Sequence, residues 1–214
     1  MNKSNRILLF AGGNLGKWAL GHIQEADILV GVDRGAWFLI ENGHAPHLSI
    51  GDFDSVTKEE KERIEANSRQ FSSCDPVMKD LTDTEMAFNW ALQQQPGEIV
   101  LLGVLGTRFD HTLANVHLLA KGLEANIPCR IVDASNEIHL ISERLDVTKD
   151  HYQHFSLLPL SPEVTGICLD GFQYPLQNAT LRIGDTLGIS NVLIGESGSI
   201  KLASGLLLVI KSSD

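Results

Sequence analysis

Leu48-Ser49-Ile50-Gly51-Asp52-Phe53-Asp54-Ser55-Val56-Thr57 runs from a short apolar strand, through a glycine and two aspartates, into a helical pattern that starts near Thr57. On an extended backbone residues i and i+2 face the same way, so Asp52 and Asp54 are expected side by side. Two ionised carboxylates so placed repel and raise each other's pKa. A divalent cation removes that cost. Magnesium, which takes one or two carboxylates together with phosphate oxygens and water, is one reading. The other is a polar loop in which Asp54 or Ser55 caps the helix. The stretch by itself supports both equally, and the rest of the chain decides between them.

Working outward, strand and helix alternate. Residues 6 to 10 read as a buried strand, Ala11-Gly12-Gly13-Asn14 as a tight turn, and Leu15 to Ala26 as a helix. Ile28 to Val32 is a second strand ending at Asp33; Arg34-Gly35-Ala36 opens a helix that Asn42-Gly43 stops. Thr57-Lys58-Glu59-Glu60 and Thr82-Asp83-Thr84-Glu85 both fit a capping box. Ile99 to Leu105 is a continuous apolar run of the kind buried parallel strands show. Gly106-Thr107-Arg108-Phe109-Asp110-His111 follows, then a long helix from Thr112 to Ala125. The alternation predicts an α/β domain with a mostly parallel sheet.

Near Ile131 the pattern changes. Short apolar runs recur without a helix: Glu137 to Ile141, Phe155 to Leu160, Val164 to Leu169, Thr180 to Ile183, Leu187 to Ile189, Ser199 to Leu202 and Leu206 to Ile210. Turn residues separate them, which predicts a small antiparallel β-sandwich or barrel. The expected domains are 1–133 (α/β) and 134–214 (β).

The totals narrow the function classes. The chain has 214 residues, 43% of them hydrophobic, enough for a large core. No apolar run approaches the ~20 residues of a membrane span. A formal net charge of −10 argues against a nucleic-acid backbone as partner. Cys74, Cys129 and Cys168 are widely spaced and form no Cys-x-x-Cys pair. The expected setting is therefore reducing and cytoplasmic.

In open α/β sheets ligands bind beyond the carboxyl ends of the strands. Standing there are Gly12-Gly13, Asp33, Arg34, Asp52, Asp54, and Arg108 with Asp110 and His111; Asp80 and Asp83 occupy another loop-to-helix junction. Each has an ordinary structural explanation as a turn or cap residue, but together they strain it. The chain has no Gly-x-x-x-x-Gly-Lys-Ser/Thr, no Gly-x-Gly-x-x-Gly after its first strand and no Gly-x-Ser-x-Gly. His151 and His154 are expected to be solvated.

These residues resemble the thiamin pyrophosphokinase family along nearly the whole chain. Gly31-Val32-Asp33-Arg34-Gly35-Ala36, Gly51-Asp52-Phe53-Asp54-Ser55, Lys79-Asp80-Leu81-Thr82-Asp83, and Gly103-x-x-Gly106-x-Arg108-x-Asp110-His111 followed by Asn115 are similar to its successive motifs, and Ile189-Ser190-Asn191 to the Ser-Asn of its thiamin-binding domain. Arg34 stands where the family usually has a small residue, and no tryptophan lies in the β half to serve as a stacking platform. The resemblance implies transfer of the pyrophosphoryl group of ATP to the hydroxyl of thiamin. It implies a homodimer whose site is shared between subunits. It implies that Asp52, Asp54 and Asp83, with Asp80, hold Mg2+; that Arg108 and Arg34 meet phosphate; and that Asp33 and Asp110 orient the hydroxyl or a metal-bound water. His111 and Asn115 join the nucleotide site, and Ser190 and Asn191 the thiamin site. Two rival readings are a metal-dependent phosphohydrolase or nucleotidyl-sugar transferase using the Asp-x-Asp pair, and a non-catalytic nucleotide-binding module.

Overall fold

The computed structural model describes residues 6–73 and 80–214. Cys74 and Lys79 lie outside the described residues. The chain divides after Ala134 into two compact units.

The first unit carries β1 (Arg6–Phe10), α1 (Lys17–Leu20), β2 (Ile28–Val32), α2 (Arg34–Glu41), β3 (Leu48–Gly51), α3 (Lys58–Asn67), β4 (Phe71–Ser73), α4 (Asp83–Gln93), β5 (Glu98–Leu102), α5 (Phe109–Glu124) and β6 (Cys129–Val132). Its strands lie in the order β4-β3-β2-β1-β5-β6, every pair parallel. From β1 the chain moves outward to β4, then returns to pair β5 on the other side of β1. The direction therefore reverses between β1 and β5, where an open sheet leaves a crevice at its carboxyl edge. Residues 7–10 and 99–102 are buried on both faces, as parallel strands covered by helices must be. One face packs Leu8, Phe10, Val100 and Leu102 with Leu39 of α2.

Local capping chemistry explains two of the five helix starts among the described residues. Thr57 accepts the Glu60 N–H at 3.2 Å while Glu60 accepts the Thr57 N–H at 2.7 Å, closing the capping box of α3. Thr82 accepts the Glu85 N–H at 3.2 Å to start α4. The helix expected over 15–26 is corrected to α1 alone. Asp27 takes two hydrogen bonds from the Arg6 guanidinium, at 3.0 and 2.7 Å, and one from the Gln24 N–H at 2.7 Å. An aspartate that gathers nearby N–H groups favours a turn over a helix. α5 begins at Phe109, three residues earlier than expected.

The second unit is all antiparallel strand: β7 (Asn136–Ile141), β8 (Arg144–Thr148), β9 (His154–Pro159), β10 (Glu163–Asp170), β11 (Leu176–Arg182), β12 (Ser197–Lys201) and β13 (Leu207–Ser212). β13 pairs β7 and β9 in one layer; the other has the order β11-β10-β12-β8. Phe155, Leu157, Leu207 and Val209 from the first layer pack with Val164, Ile167, Leu169 and Ile200 from the second. The chain is thus a mostly parallel α/β unit followed by a small β-sandwich. The run Leu187 to Ile189 is not a strand; Leu187 and Ile189 are exposed in a turn. His154 is half-buried in β9 rather than solvated, with its Nδ1 enclosed. No helix among the described residues is long and apolar enough to cross a membrane.

Candidate active site

The loops after β1 and β5 are laced together at the crevice. Ala11 N–H donates to the Leu102 carbonyl at 2.9 Å, Gly13 N–H to Gly103 at 2.7 Å, and Asn14 N–H to Leu105 at 3.1 Å. A Cβ on Gly13 would meet the Gly103 carbonyl at 2.4 Å, so only glycine permits this approach. A cleft of about 330 Å³ opens above the two loops; Asp33, Asp83, Arg108, His111 and Asn115 help to line it.

Asp33 follows β2 with φ +47°, and its N–H donates to the Ile50 carbonyl at 3.2 Å. Its Oδ1 accepts the Phe53 N–H at 3.0 Å. Phe53 has φ +60° and a buried ring stacked on Phe71 at 4.8 Å between centroids. The backbone at Phe53 is therefore not extended, and the expected side-by-side placing of Asp52 and Asp54 does not occur. Asp52 joins Asp33 and Asp83, with one carboxylate oxygen from each lying within 4.8 Å of the others. Asp54 is exposed and donates its N–H to Asp52 Oδ1 at 3.0 Å. Asp80 is exposed and stands outside the trio. Three half-buried carboxylates converging on one point form a donor set for a hard cation, and magnesium's preference for oxygen ligands fits it.

Across the cleft, the Arg108 guanidinium donates twice to Asp110, at 3.2 and 2.6 Å. That pairing, with the His111 N–H at 3.0 Å, holds the Asp110 carboxyl at about 2. Both side chains are exposed, so a phosphate can compete with Asp110 for Arg108. Asn115 is buried, and its amide donates to the Val104 carbonyl at 2.8 Å. It shapes the β5 loop from behind as well as lining the cleft.

In the β-sandwich unit, Ser190 is exposed with φ +58°, its N–H donating to Ser156 Oγ at 3.1 Å. Asn191 is buried, and its amide is committed to backbone. Oδ1 accepts the N–H groups of Tyr174 at 3.1 Å and Val192 at 2.9 Å, and Nδ2 donates to the Tyr174 carbonyl at 2.8 Å. The chain around Tyr174 is thus pinned at both peptide groups while the residue stays 61% exposed. The sequence pattern gave Tyr174 no role, although it is an exposed aromatic in this unit. The turn-bounded Gly171-Phe172-Gln173-Tyr174-Pro175 was the signal that could have found it.

An open parallel sheet with glycine loops, a carboxylate trio and an arginine near its carboxyl edge defines a class: doubly wound α/β proteins whose candidate ligand site lies beyond the strand ends. The chain belongs to the thiamin pyrophosphokinase family. The family model "Thiamin pyrophosphokinase, catalytic domain" matches residues 21–131, and "Thiamin pyrophosphokinase, vitamin B1 binding domain" matches 142–207. The chain is 38% identical over 212 residues to the thiamine pyrophosphokinase of Bacillus subtilis, covering 97% of this chain and 99% of that one. It superposes on the crystal structure of the Bacillus subtilis protein with a TM-score of 0.91 at 36% identity, covering 98% and 100% of the two chains. For the Geobacillus thermodenitrificans structure the TM-score is 0.88 at 36% identity, with 98% of both chains covered.

Proposed function

We propose that this protein transfers the pyrophosphoryl group of ATP to the hydroxyl of thiamin, giving thiamin diphosphate and AMP. The observation that carries the reading is the trio of Asp33, Asp52 and Asp83 in the unit that matches the family's catalytic domain. The thiamin oxygen bonds to the β-phosphorus, the bond from that phosphorus to the oxygen bridging toward the α-phosphate breaks, and AMP departs with that oxygen. The hydroxyl proton passes to a rim carboxylate or to solvent. Asp33, Asp52 and Asp83 would hold Mg2+, with Asp54 and Asp80, outside the trio, as further carboxylates for the set. That cation would supply charge neutralisation at the phosphate oxygens. Arg108 exchanges Asp110 for a phosphate in bidentate contact. His111 lies on the same wall of the cleft, and Asn115 keeps that wall in shape.

Thiamin is an aromatic cation, and its ligands come from the β-sandwich unit. Tyr174, pinned by Asn191, offers a ring face for cation–π contact and stacking. Ser190 offers a hydroxyl. The working form is a homodimer with sites shared between subunits. Supporting this, Tyr174, Ile183, Leu187, Ile189 and Ile194 expose apolar surface on this unit. A cytoplasmic setting accords with Cys129 and Cys168 being free thiols. The phosphohydrolase and nucleotidyl-sugar transferase readings find no support in the family matches.

The test is a product assay. Incubated with ATP, magnesium and thiamin, the protein should form AMP and thiamin diphosphate in equal amounts, each dependent on thiamin and on the metal. ADP with thiamin monophosphate would mean attack at the γ-phosphorus. No thiamin-dependent nucleotide turnover would end the assignment.

A further inference from the structure

Lys61, half-buried, turns inward from α3. Its Nζ lies 3.2 Å from Ser73 Oγ at the end of β4, 3.4 Å from the Asp52 carbonyl oxygen and 5.4 Å from the centroid of the Phe53 ring. The seating of α3 puts it there. Thr57 and Glu60 fix the start of the helix through their capping box. Ile64, fully buried in a cluster with Ala36 and Phe53, stands three residues after Lys61 on the same helical face. Ser68 Oγ and Ser49 Oγ, 2.7 Å apart, tie the far end of α3 to β3. Both hydrogen-bond acceptors of the ammonium are neutral oxygens, and one of them belongs to the backbone of a trio residue.

The carbonyl that Lys61 faces and the N–H that Asp33 accepts belong to one peptide group, the one joining Asp52 to Phe53. In a trans peptide these two groups point in opposite directions. A cation therefore stands at the carbonyl end of this peptide, and a carboxylate at its N–H end, 3.0 Å away. At 3.4 Å the lysine contact is long for a hydrogen bond, and the charge on the ammonium supplies the attraction. This is the peptide that leads into Phe53 at φ +60°, the turn that sends Asp52 to the trio and leaves Asp54 outside. We propose that Lys61 is a positioning residue for the cation site: it holds the Asp52–Phe53 peptide by its carbonyl while Asp33 holds it by its N–H, and so sets Asp33 and Asp52 at a spacing that one divalent ion can span. This rests on the reading of the trio as that ion's site. The sign of the effect separates the role from simple electrostatics. A lysine that acted only as a nearby positive charge would oppose cation binding, and its removal would tighten the site. A positioning lysine does the opposite.

The experiment measures Mn2+ binding to the full chain without nucleotide, by titration calorimetry, on wild type, Lys61→Met, Lys61→Gln, Lys61→Arg and Lys58→Met. Lys58 is an exposed lysine on the same helix, so its loss matches the change in net charge without touching the peptide. Thermal melts are run on every variant. Expected is a roughly tenfold or greater rise in Kd for Mn2+ in Lys61→Met and Lys61→Gln, the range that follows loss of a group supporting metal ligands. Lys61→Arg keeps a cation and should recover most of the affinity, and Lys58→Met should bind as wild type does. In steady-state assays the magnesium midpoint should rise and kcat should fall in the same order, with KM for thiamin unchanged. Mn2+ binding in Lys61→Met as tight as in wild type, or tighter, would overturn the positioning role whatever the melting temperature, and the cation site would stand. Equal losses in Lys61→Arg and Lys61→Met would overturn it as well. If Lys61→Met does not fold, Lys61→Gln against Lys61→Arg carries the same comparison. Wild type that binds no Mn2+ would overturn the cation site and the role of Lys61 together.

Discussion

A Cβ added to Gly51 would lie 1.8 Å from Oδ1 of Asp33. The two residues share one volume, and the carboxylate occupies it. Gly51 also has φ +149°, a conformation that side chains rarely adopt. Gly51→Ala should therefore evict the Asp33 side chain, break its bond from the Phe53 N–H, and scatter the trio. The expected loss in kcat/KM is roughly a hundredfold or more, ~3 kcal/mol of transition-state stabilisation. Asp33→Asn provides the contrast. It retains an oxygen to accept the Phe53 N–H, so its melting temperature should stay near wild type while its magnesium requirement rises. Normal activity in Gly51→Ala would show that the loop does not depend on this contact.

The metal dependence should follow the geometry of the trio more than the Asp-x-Asp pattern. Asp52→Asn and Asp83→Asn should lower the rate roughly a hundredfold and shift the magnesium midpoint strongly upward. Asp54→Asn and Asp80→Asn, outside the trio, should shift that midpoint less. A magnesium titration of all four at saturating ATP and thiamin separates the cases. Wild-type turnover in Asp52→Asn would retire the metal site.

Tyr174 should govern thiamin affinity. Tyr174→Ala should raise KM for thiamin roughly tenfold, within the ~0.5–2 kcal/mol range of a cation–π contact, and leave KM for ATP nearly unchanged. Tyr174→Trp should restore or improve it. Asn191→Ala should act through Tyr174, adding a stability loss of about 1–3 kcal/mol from the buried peptide groups it leaves unpaired. Equal thiamin affinity in Tyr174→Ala and wild type would remove the platform role.

Stability of the β-sandwich unit should depend on acid through Glu137. Burial opposes its ionisation, but hydrogen bonds from His139 and Lys211, both at 2.9 Å, outweigh that and hold the carboxyl well below the usual range. Lys211 is itself buried and also bonds Asp150. A carboxyl whose folded pKa is depressed contributes stability above its unfolded value and loses that contribution as pH falls through the folded one. Wild type should therefore weaken in urea as pH drops below about 4.5. Glu137→Gln should cost about 3 kcal/mol at pH 7, since one partner of a buried pair is removed while Lys211 keeps Asp150, and the gap from wild type should narrow in acid. A gap independent of pH between 7 and 3 would show that charge at Glu137 is not the cause.

Much of this protein is decided by order along the chain. Alternating apolar strands and capped helices set the parallel α/β unit, and turn-separated short strands set the sandwich, because burial periodicity and cap chemistry act within a few residues. Thr57 and Glu60 close their capping box with no help from outside the loop. The positions of Asp33 and Asp52 just after strands, and of Asp83 and Arg108 at helix starts, follow from the same local logic.

Tertiary contacts decided which of these side chains meet. Phe53 takes a positive φ because its ring is buried against Phe71 and its N–H is claimed by Asp33, twenty residues earlier. That turns Asp52 toward Asp33 and leaves Asp54 outside, reversing a parity argument that assumed extended chain. Arg6 captures Asp27 and cuts the expected 15–26 helix to a single turn. Asn191, a ligand candidate by its place in the sequence, spends its amide on the backbone at Tyr174 and Val192. In each case the deciding energy comes from a partner distant in sequence, and a local pattern carries no record of where that partner will lie in the folded chain.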